Sequence, residues 1–335
     1  MTTTAAPATT TPAGLEDPGR RPRGLTWTVL RLHRPALLVW AAYVLLLAGW
    51  LLWLRFVTLE QARTKLPGCP LSESDCVDAE ALITFGDGVS TAATLIAYLT
   101  YGVAAWAGAS LIGRELERGT AQLAWAQSVT PTRWLVARLA VPAALLALGT
   151  TVLFLLYREL WAPKHDMYGY QWYNPDPMVA LGPLTVAYAL CGLAVGALAG
   201  LALKRALPAL VVALGFMALF HVYLDRNTRW LWPTERLTGF AASRVPNDAQ
   251  HIDLGVITEA GTRADDVLLN CFGAEADESL SACMTNHNIT GLYADVHPPS
   301  HFWPLHLMAT GIVLTVTALA VTAAFWLLRR RTATH

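Results

Sequence analysis

Apolar and polar residues along this chain separate into long blocks rather than alternating. Six apolar runs, at residues 35–54, 88–112, 134–157, 178–203, 206–224 and 302–328, each approach or exceed the roughly 20 residues that a helix needs to cross a bilayer core. The pattern predicts an all-α polytopic membrane protein with six transmembrane helices. The first run follows basic residues, as a signal peptide would. It is longer than the h-region of about 7–15 residues and no small-residue cleavage site follows it, so it counts as a helix.

The polar blocks are unequal. Residues 1–24 are Thr, Ala, Pro and Arg with little apolar content beyond Ala, the composition of a disordered tail. In 25–34 the residues Leu25, Val29 and Leu32 recur at helical spacing beside Arg31, His33 and Arg34, which predicts a short interfacial helix leading into the membrane. Residues 35–224 hold the first five helices, with a polar segment at 113–133 between the second and third. Residues 225–301 form the largest polar block, 302–328 the sixth helix and 329–335 a basic tail. Within 225–301, Trp230, Trp232, Phe240, Phe272 and Tyr293 lie among acids and prolines and predict a compact cap. Its histidines, His251, His287, His297 and His301, suggest a metal site at first sight. Pro298 and Pro299 break any helix that would place His297 and His301 on one face, so they read as solvated loop residues. Asn288-Ile289-Thr290 spells a glycosylation sequon that matters only in a eukaryotic secretory host.

Composition agrees with a membrane protein. The chain is 54% hydrophobic and 14% charged, against about 25% charged residues in soluble domains, and its mean hydropathy is +0.40. The formal net charge of zero conceals an asymmetry. With the N-terminus inside, the inner segments hold Arg20, Arg21, Arg23, Arg31, Arg34, Arg114, Arg118, Arg133, Arg138, Lys204, Arg205 and Arg329 to Arg331, against only Glu16, Asp17, Glu115 and Glu117. The longer outer segments carry the remaining acids, so the positive-inside rule places both termini in the cytoplasm. This distribution implies nothing about nucleic acid, and none is expected as a partner. Cys69 and Cys76 then lie in the first outer loop and Cys271 and Cys283 in the last, where an oxidising exterior permits two disulfides. Four cysteines allow three pairings, of which the two local ones close the shortest loops. Cys191 falls within the fourth apolar run. No Cys-x-x-Cys spacing suggests zinc, and no metal is expected.

The stretch GRELERGTAQLAWAQSVTPTRWLVAR, residues 113–138, is too polar to span a bilayer and carries its own punctuation. A helix leaving the second apolar run can continue through Arg114 and Arg118 and stop at Gly119, the residue suited to positive φ. Thr120 is placed to cap a short helix over 121–128, and Thr130-Pro131 to cap and start the next. Leu123, Trp125 and Gln127 suit a helix lying on a membrane surface. Here the sequence resembles the segment between the second and third helices of actinobacterial ABC-2-type transporter permeases. Glu115, Glu117, Gly119, Thr120, Trp125, Gln127, Ser128, Arg133 and Trp134 match the recurring pattern. A second match, PPSHFWPLH at 298–306 followed by an apolar run ending FWLLRRR, departs from it at His306, where glutamine is expected. The resemblance implies the permease subunit of an exporter in the bacterial plasma membrane, acting with a separate ABC ATPase that binds ATP and Mg and with a second permease copy. It also implies that Arg114, Glu115, Glu117, Arg118, Gly119, Thr120, Gln127 and Arg133 form an interfacial coupling element. Gly119 would be its hinge, and the two glutamates with Arg118 would either contact the ATPase or hold the helix break by ion pairs.

Inside the apolar runs, Thr91, Thr94, Tyr98 and Tyr101 fall on one helical face. They are candidates for a substrate path, although hydroxyls that bond back to their own helix would look the same. Gly192, Gly196 and Gly200 form a small-residue ridge for close helix approach, more naturally within the subunit than between copies. No Gly-x-x-x-x-Gly-Lys-Ser/Thr loop is present, so this chain is not expected to be an enzyme or to bind ATP itself. The runs contain almost no Asp, Glu or Lys away from their ends, which disfavours ion-driven transport. The competing class is a membrane sensor or scaffold whose outer cap binds a ligand and whose inner segment signals without transport.

Overall fold

The computed structural model describes residues 34–65, 79–126, 130–161, 171–261, 263–264, 285–286 and 288–332. The tail 1–24, all but the last residue of the interfacial helix 25–34, Cys69, Cys76, Cys271, Phe272, Cys283, Gln127, Ser128 and His287 lie outside the described residues.

Among the described residues, six helices are long and apolar enough to cross a membrane: Arg34–Ala62, Ile83–Glu117, Pro131–Trp161, Leu184–Leu203, Ala206–Thr228 and Pro299–Thr332. We call them the first to sixth helices. The first and second each pass through a π turn, at Leu54–Thr58 and Ala107–Gly113. The fourth is the centre of the bundle: 72% of its most apolar window is buried, against 17% to 50% for the others. The glycine ridge is the reason. A Cβ at Gly192 would lie 2.7 Å from the Thr100 carbonyl oxygen, one at Gly196 2.5 Å from that of Ala104, and one at Gly200 2.9 Å from Ile112 Cβ. The ridge therefore packs the fourth helix backbone-to-backbone against the second, within one subunit. Leu38, Leu207, Leu219 and Leu319 on the outer helices are 66% to 76% exposed, an apolar belt of the kind that lipid covers.

Two expectations are corrected. The run 178–203 is not one helix: a short helix Pro175–Ala180 ends, residues 181–183 turn, and a new helix starts at Leu184. Pro183 has no N–H to continue the ladder and disfavours helical backbone at Gly182. A Cβ on Gly182 would lie 2.6 Å from His306 Nε2. That same nitrogen accepts the Leu184 N–H at 3.1 Å, so His306 caps the new helix. A glutamine there would offer an oxygen acceptor, which explains why histidine is an acceptable departure.

The chain is also not all-α. The cap between the fifth and sixth helices contains a four-stranded antiparallel sheet in the order β1-β4-β2-β3, with β1 Glu235–Thr238, β2 Gln250–Thr258, β3 Arg263–Ala264 and β4 Ile289–His297. Ile289, Thr290, Tyr293 and Val296 in β4 are β-branched or aromatic residues of the kind that strands favour. Ala242, Ala249, Ala294 and Val296 form its small core. Trp172 Nε1 donates to the Asp248 carbonyl at 2.8 Å, tying the sheet to the approach of the fourth helix.

Candidate functional site

The segment between the second and third helices is braced from within. Its first turn, Arg114–Glu117, continues the second helix and ends where Gly119 adopts φ +71°, as its position predicted. The short helix that follows is Thr120–Ala126. Thr120 does not cap it: its hydroxyl donates back to the Glu115 carbonyl at 3.1 Å, and the Gly119 carbonyl accepts the first helical N–H bonds, from Gln122 at 3.2 Å and Leu123 at 3.4 Å. Thr130 does cap the third helix, accepting the Arg133 N–H on its hydroxyl at 3.4 Å, with Pro131 as the first helical residue.

Glu115 and Glu117 have different tasks despite being two residues apart. Glu115 points into the bundle and pairs with Arg138 of the third helix at 2.5 Å, the two side chains being 11% and 10% exposed. The Trp134 ring lies 5.9 Å from the Arg138 guanidinium carbon, and Trp125 meets Trp134 edge-on at 5.8 Å. A continuous stack thus runs from the short helix through two tryptophans to the ion pair. Glu117 lies on the other side, where its carboxylate accepts the Ala206 N–H at 3.0 Å, satisfying an orphan donor at the start of the fifth helix with an anion on the positive end of its dipole. Arg331, at the end of the sixth helix, donates to the Leu201 carbonyl and, at 3.1 Å, to that of Ala202 at the end of the fourth. Arg114, Arg118, Gln122, Leu123 and Arg133 face outward. Arg138 was not among the residues expected to matter; its signal was a lone arginine two turns inside an apolar helix.

Glu117→Ala is expected to cost about 1 kcal/mol locally. By hydrogen exchange this would appear as amides at the start of the fifth helix opening roughly fivefold more often, while Glu117→Gln, which keeps an acceptor, loses less. Unchanged exchange in both variants would show that the contact caps nothing.

The hydroxyl stripe on the second helix divides. Thr91 is exposed; Thr94 donates to Asp176 at 2.5 Å. Tyr98 and Tyr101 pack at 5.3 Å, and Tyr101 stacks at 5.9 Å on His221. Tyr188 also stacks on His221, at 5.0 Å. The stripe is one wall of a half-buried polar cluster between the second, fourth and fifth helices. Its other members, Asp176, Tyr188 and His221, were not picked out from the sequence. The available sign was His221 one helical turn before Asp225 in an otherwise apolar run.

In the cap, His297 and His301 do meet, with their Nδ1 atoms 3.0 Å apart, because the turn Pro299–His301 is a 3₁₀ turn and not a helical face. This corrects their reading as solvated loop residues, at least for His297, which is fully buried. The Arg229 carbonyl can only accept, so His297 Nε2 donates to it at 2.8 Å and His297 Nδ1 accepts from His301. Burial holds the His297 imidazole below its ordinary value and His301 adds to this, against the opposing effect of the Arg229 carbonyl. Next to it in β4, Asp295 receives two bonds from Arg236, at 2.6 and 2.7 Å, and this pairing depresses its carboxyl. Both shifts destabilise the folded sheet on the acid side. His297 stays neutral where the unfolded imidazole begins to bind a proton, so its contribution is lost as pH falls below about 6.5. That of Asp295 is complete above the ordinary carboxylate range and is lost as pH falls through its depressed value. Amide exchange in β2 and β4, corrected for intrinsic rates, is therefore expected to lose protection between pH 7.5 and 5.5, and His297→Gln to flatten that dependence.

Among the described residues no group of three or more His, Cys, Asp and Glu converges in a way that could hold a metal. Cys191 is a free, buried thiol. A family model described as ABC-2 membrane transporter related matches residues 41–229, from inside the first long helix through the end of the fifth. Comparison with curated proteins and with solved structures gives no match. Because that match covers more than half of the chain and includes the whole braced segment between the second and third helices, this protein belongs to the ABC-2 membrane transporter related family.

Proposed function

We propose that this protein is the permease subunit of an ABC-2-type exporter. It moves a hydrophobic or amphipathic substrate outward across the bacterial plasma membrane, with ATP and Mg bound and hydrolysed by a separate ATPase subunit, and it works beside a second permease copy. Both termini and the braced segment face the cytoplasm, in keeping with the arginine distribution, and the sheet-bearing cap faces outward. The carrying observation is the bracing itself. A push on the short helix Thr120–Ala126 reaches the second and third helices through the Trp125–Trp134 stack and the Glu115–Arg138 pair. It reaches the fifth helix through Glu117. Such a lever passes a rigid-body displacement to three membrane helices at once. Gly119 serves as its hinge, and Gln122, Leu123 and Arg133 form the face that meets the ATPase, with Arg114 and Arg118 of the same element at its edge, beside the membrane helices. Glu115 holds the helix break and does not touch the partner; its burial supports that choice between its two expected roles. Thr120 and Gln127 belong to the same element, and Thr94, Tyr98 and Tyr101, with Thr91 at the rim, belong to the substrate path.

The test is co-purification from the native membrane in mild detergent with ATPase activity measured on the eluate, wild type beside Leu123→Asp/Arg133→Glu. These side chains are exposed, so the variant should fold. Activity with wild type that is lost in the variant supports the exporter. A wild type that retains its fold but brings down no ATPase overturns it and returns the sensor reading.

A further inference from the structure

A cavity of about 970 Å³ opens between the first, second and third helices, at the upper end of the roughly 300–1,000 Å³ that holds a drug-sized molecule. Its walls are apolar for most of their extent, with Trp40, Leu99, Trp106 and Leu146 among them. All the charge in its lining is at one end, where Arg114, Glu115, Arg118 and Arg138 meet it. Glu115 and Arg138 neutralise each other. Arg114 and Arg118, four residues apart on the same face, make no ion pair among the described residues, so the mouth carries two uncompensated positive charges.

The geometry points to an acidic phospholipid as the occupant, with its anionic headgroup at Arg114 and Arg118 and its acyl chains between the tryptophans. Two other occupants fit less well. A second copy of this chain has only Glu115 and Glu117 as described acids at this end, and both are already engaged. A soluble ATPase could offer carboxylates but has no tail for the apolar depth. The inference does not depend on transport. Only the leaflet that supplies the lipid, the cytoplasmic one, follows from the orientation proposed above.

Gly102 provides a selective probe. It lines the cavity, and a Cβ built on it meets nothing within 4 Å, so Gly102→Leu fills space without displacing core atoms. The experiment uses the purified full chain in nanodiscs with phosphatidylglycerol or phosphatidylcholine bearing a photoreactive group in the acyl chain. Labelled peptides are then mapped by mass spectrometry. Near a surface each arginine favours an anionic lipid by roughly fivefold. The acidic probe should therefore label peptides around Trp40 and Trp106 at least about fivefold more than the zwitterionic one, even after salt screening. Arg114→Gln/Arg118→Gln should bring the ratio to near unity without changing labelling by phosphatidylcholine, and Gly102→Leu should lower labelling by both probes. Equal labelling of wild type by the two probes overturns the assignment, as does indifference to Gly102→Leu. Inorganic phosphate that abolishes the preference, relative to chloride at matched ionic strength, would also overturn it by showing a site for a free anion. No ATPase is present in this experiment, so failure of the exporter reading leaves its result standing.

Discussion

Arg138→Met is expected to cost about 3–5 kcal/mol of stability, because it strands the buried carboxylate of Glu115 without its counter-charge. The pair is almost buried at the end of the cavity: both side chains are about 10% exposed, and the Trp134 ring lies 5.9 Å from the guanidinium carbon. The damage should come from the orphaned charge and not from lost attraction. Glu115→Leu together with Arg138→Met should therefore recover most of the loss, since an apolar pair of similar volume often replaces a buried ion pair at little net cost. Arg138→Lys, which keeps the charge but lacks the planar fork and the ring stacking, should fall between. Unfolding in detergent, followed by tryptophan fluorescence, measures all three. Additivity of the two single changes in the double variant would show that the residues do not interact. In the exporter reading the recovered double variant carries a second expectation: a stable protein whose ATPase no longer responds to substrate, because the stack from Trp125 ends in an apolar contact without a fixed direction.

Gly196→Val is expected to be the other large loss, about 3 kcal/mol or more, through overpacking. Even the first carbon of a side chain there would sit 2.5 Å from the Ala104 carbonyl oxygen and 2.8 Å from both Ala107 Cβ and Gly108 N. Two of those three neighbours are backbone atoms of the second helix, so relief requires moving one helix away from another. Gly215, in the fifth helix, provides the control: nothing lies within 4 Å of its Cβ position. Gly215→Ala should be neutral or gain up to about 1 kcal/mol from helix propensity. Thermal unfolding of the two variants in the same detergent decides the matter, and similar losses at both sites would show that the ridge is not the seam described here.

The large losses fall where polar or backbone atoms of two helices meet, and three such meetings lie at one end of the bundle. Glu115–Arg138 joins the second and third helices, Glu117 the second and fifth, and Arg331 the sixth and fourth. Each uses a side chain to satisfy a charge or a helix terminus. In the exporter reading these contacts give the Thr120–Ala126 helix something firm to act on. At the opposite end the histidine and aspartate contacts of the sheet weaken with acid, so the two ends are expected to differ in their response to pH.

The elements legible in the sequence were those set by neighbours along the chain. The six apolar runs became six long helices, Gly119 left its helix at positive φ, and Thr130 with Pro131 started the third helix, because run length, glycine conformation and capping depend on a few consecutive residues. The sheet was missed although its strands carry the right residue types, since a strand is defined by partners: β2 pairs with β4 across most of the cap, and β1 with β4. The break before Leu184 was visible only as a proline, because its cap, His306, arrives from 122 positions away. Glu117 was expected to contact the ATPase or hold the helix break, and only the fold shows that its carboxylate accepts the N–H of Ala206, 89 residues on. Gly196 and Gly215 are indistinguishable as letters in apolar runs, and only the path of the second helix separates a tight seam from open space. The sequence alone determined which segments are long and apolar enough to cross a membrane, because length and hydropathy are properties of each segment. The tertiary structure decided which charges are neutralised, which glycines are indispensable and which histidines meet, because those properties belong to pairs of segments that the chain order keeps apart.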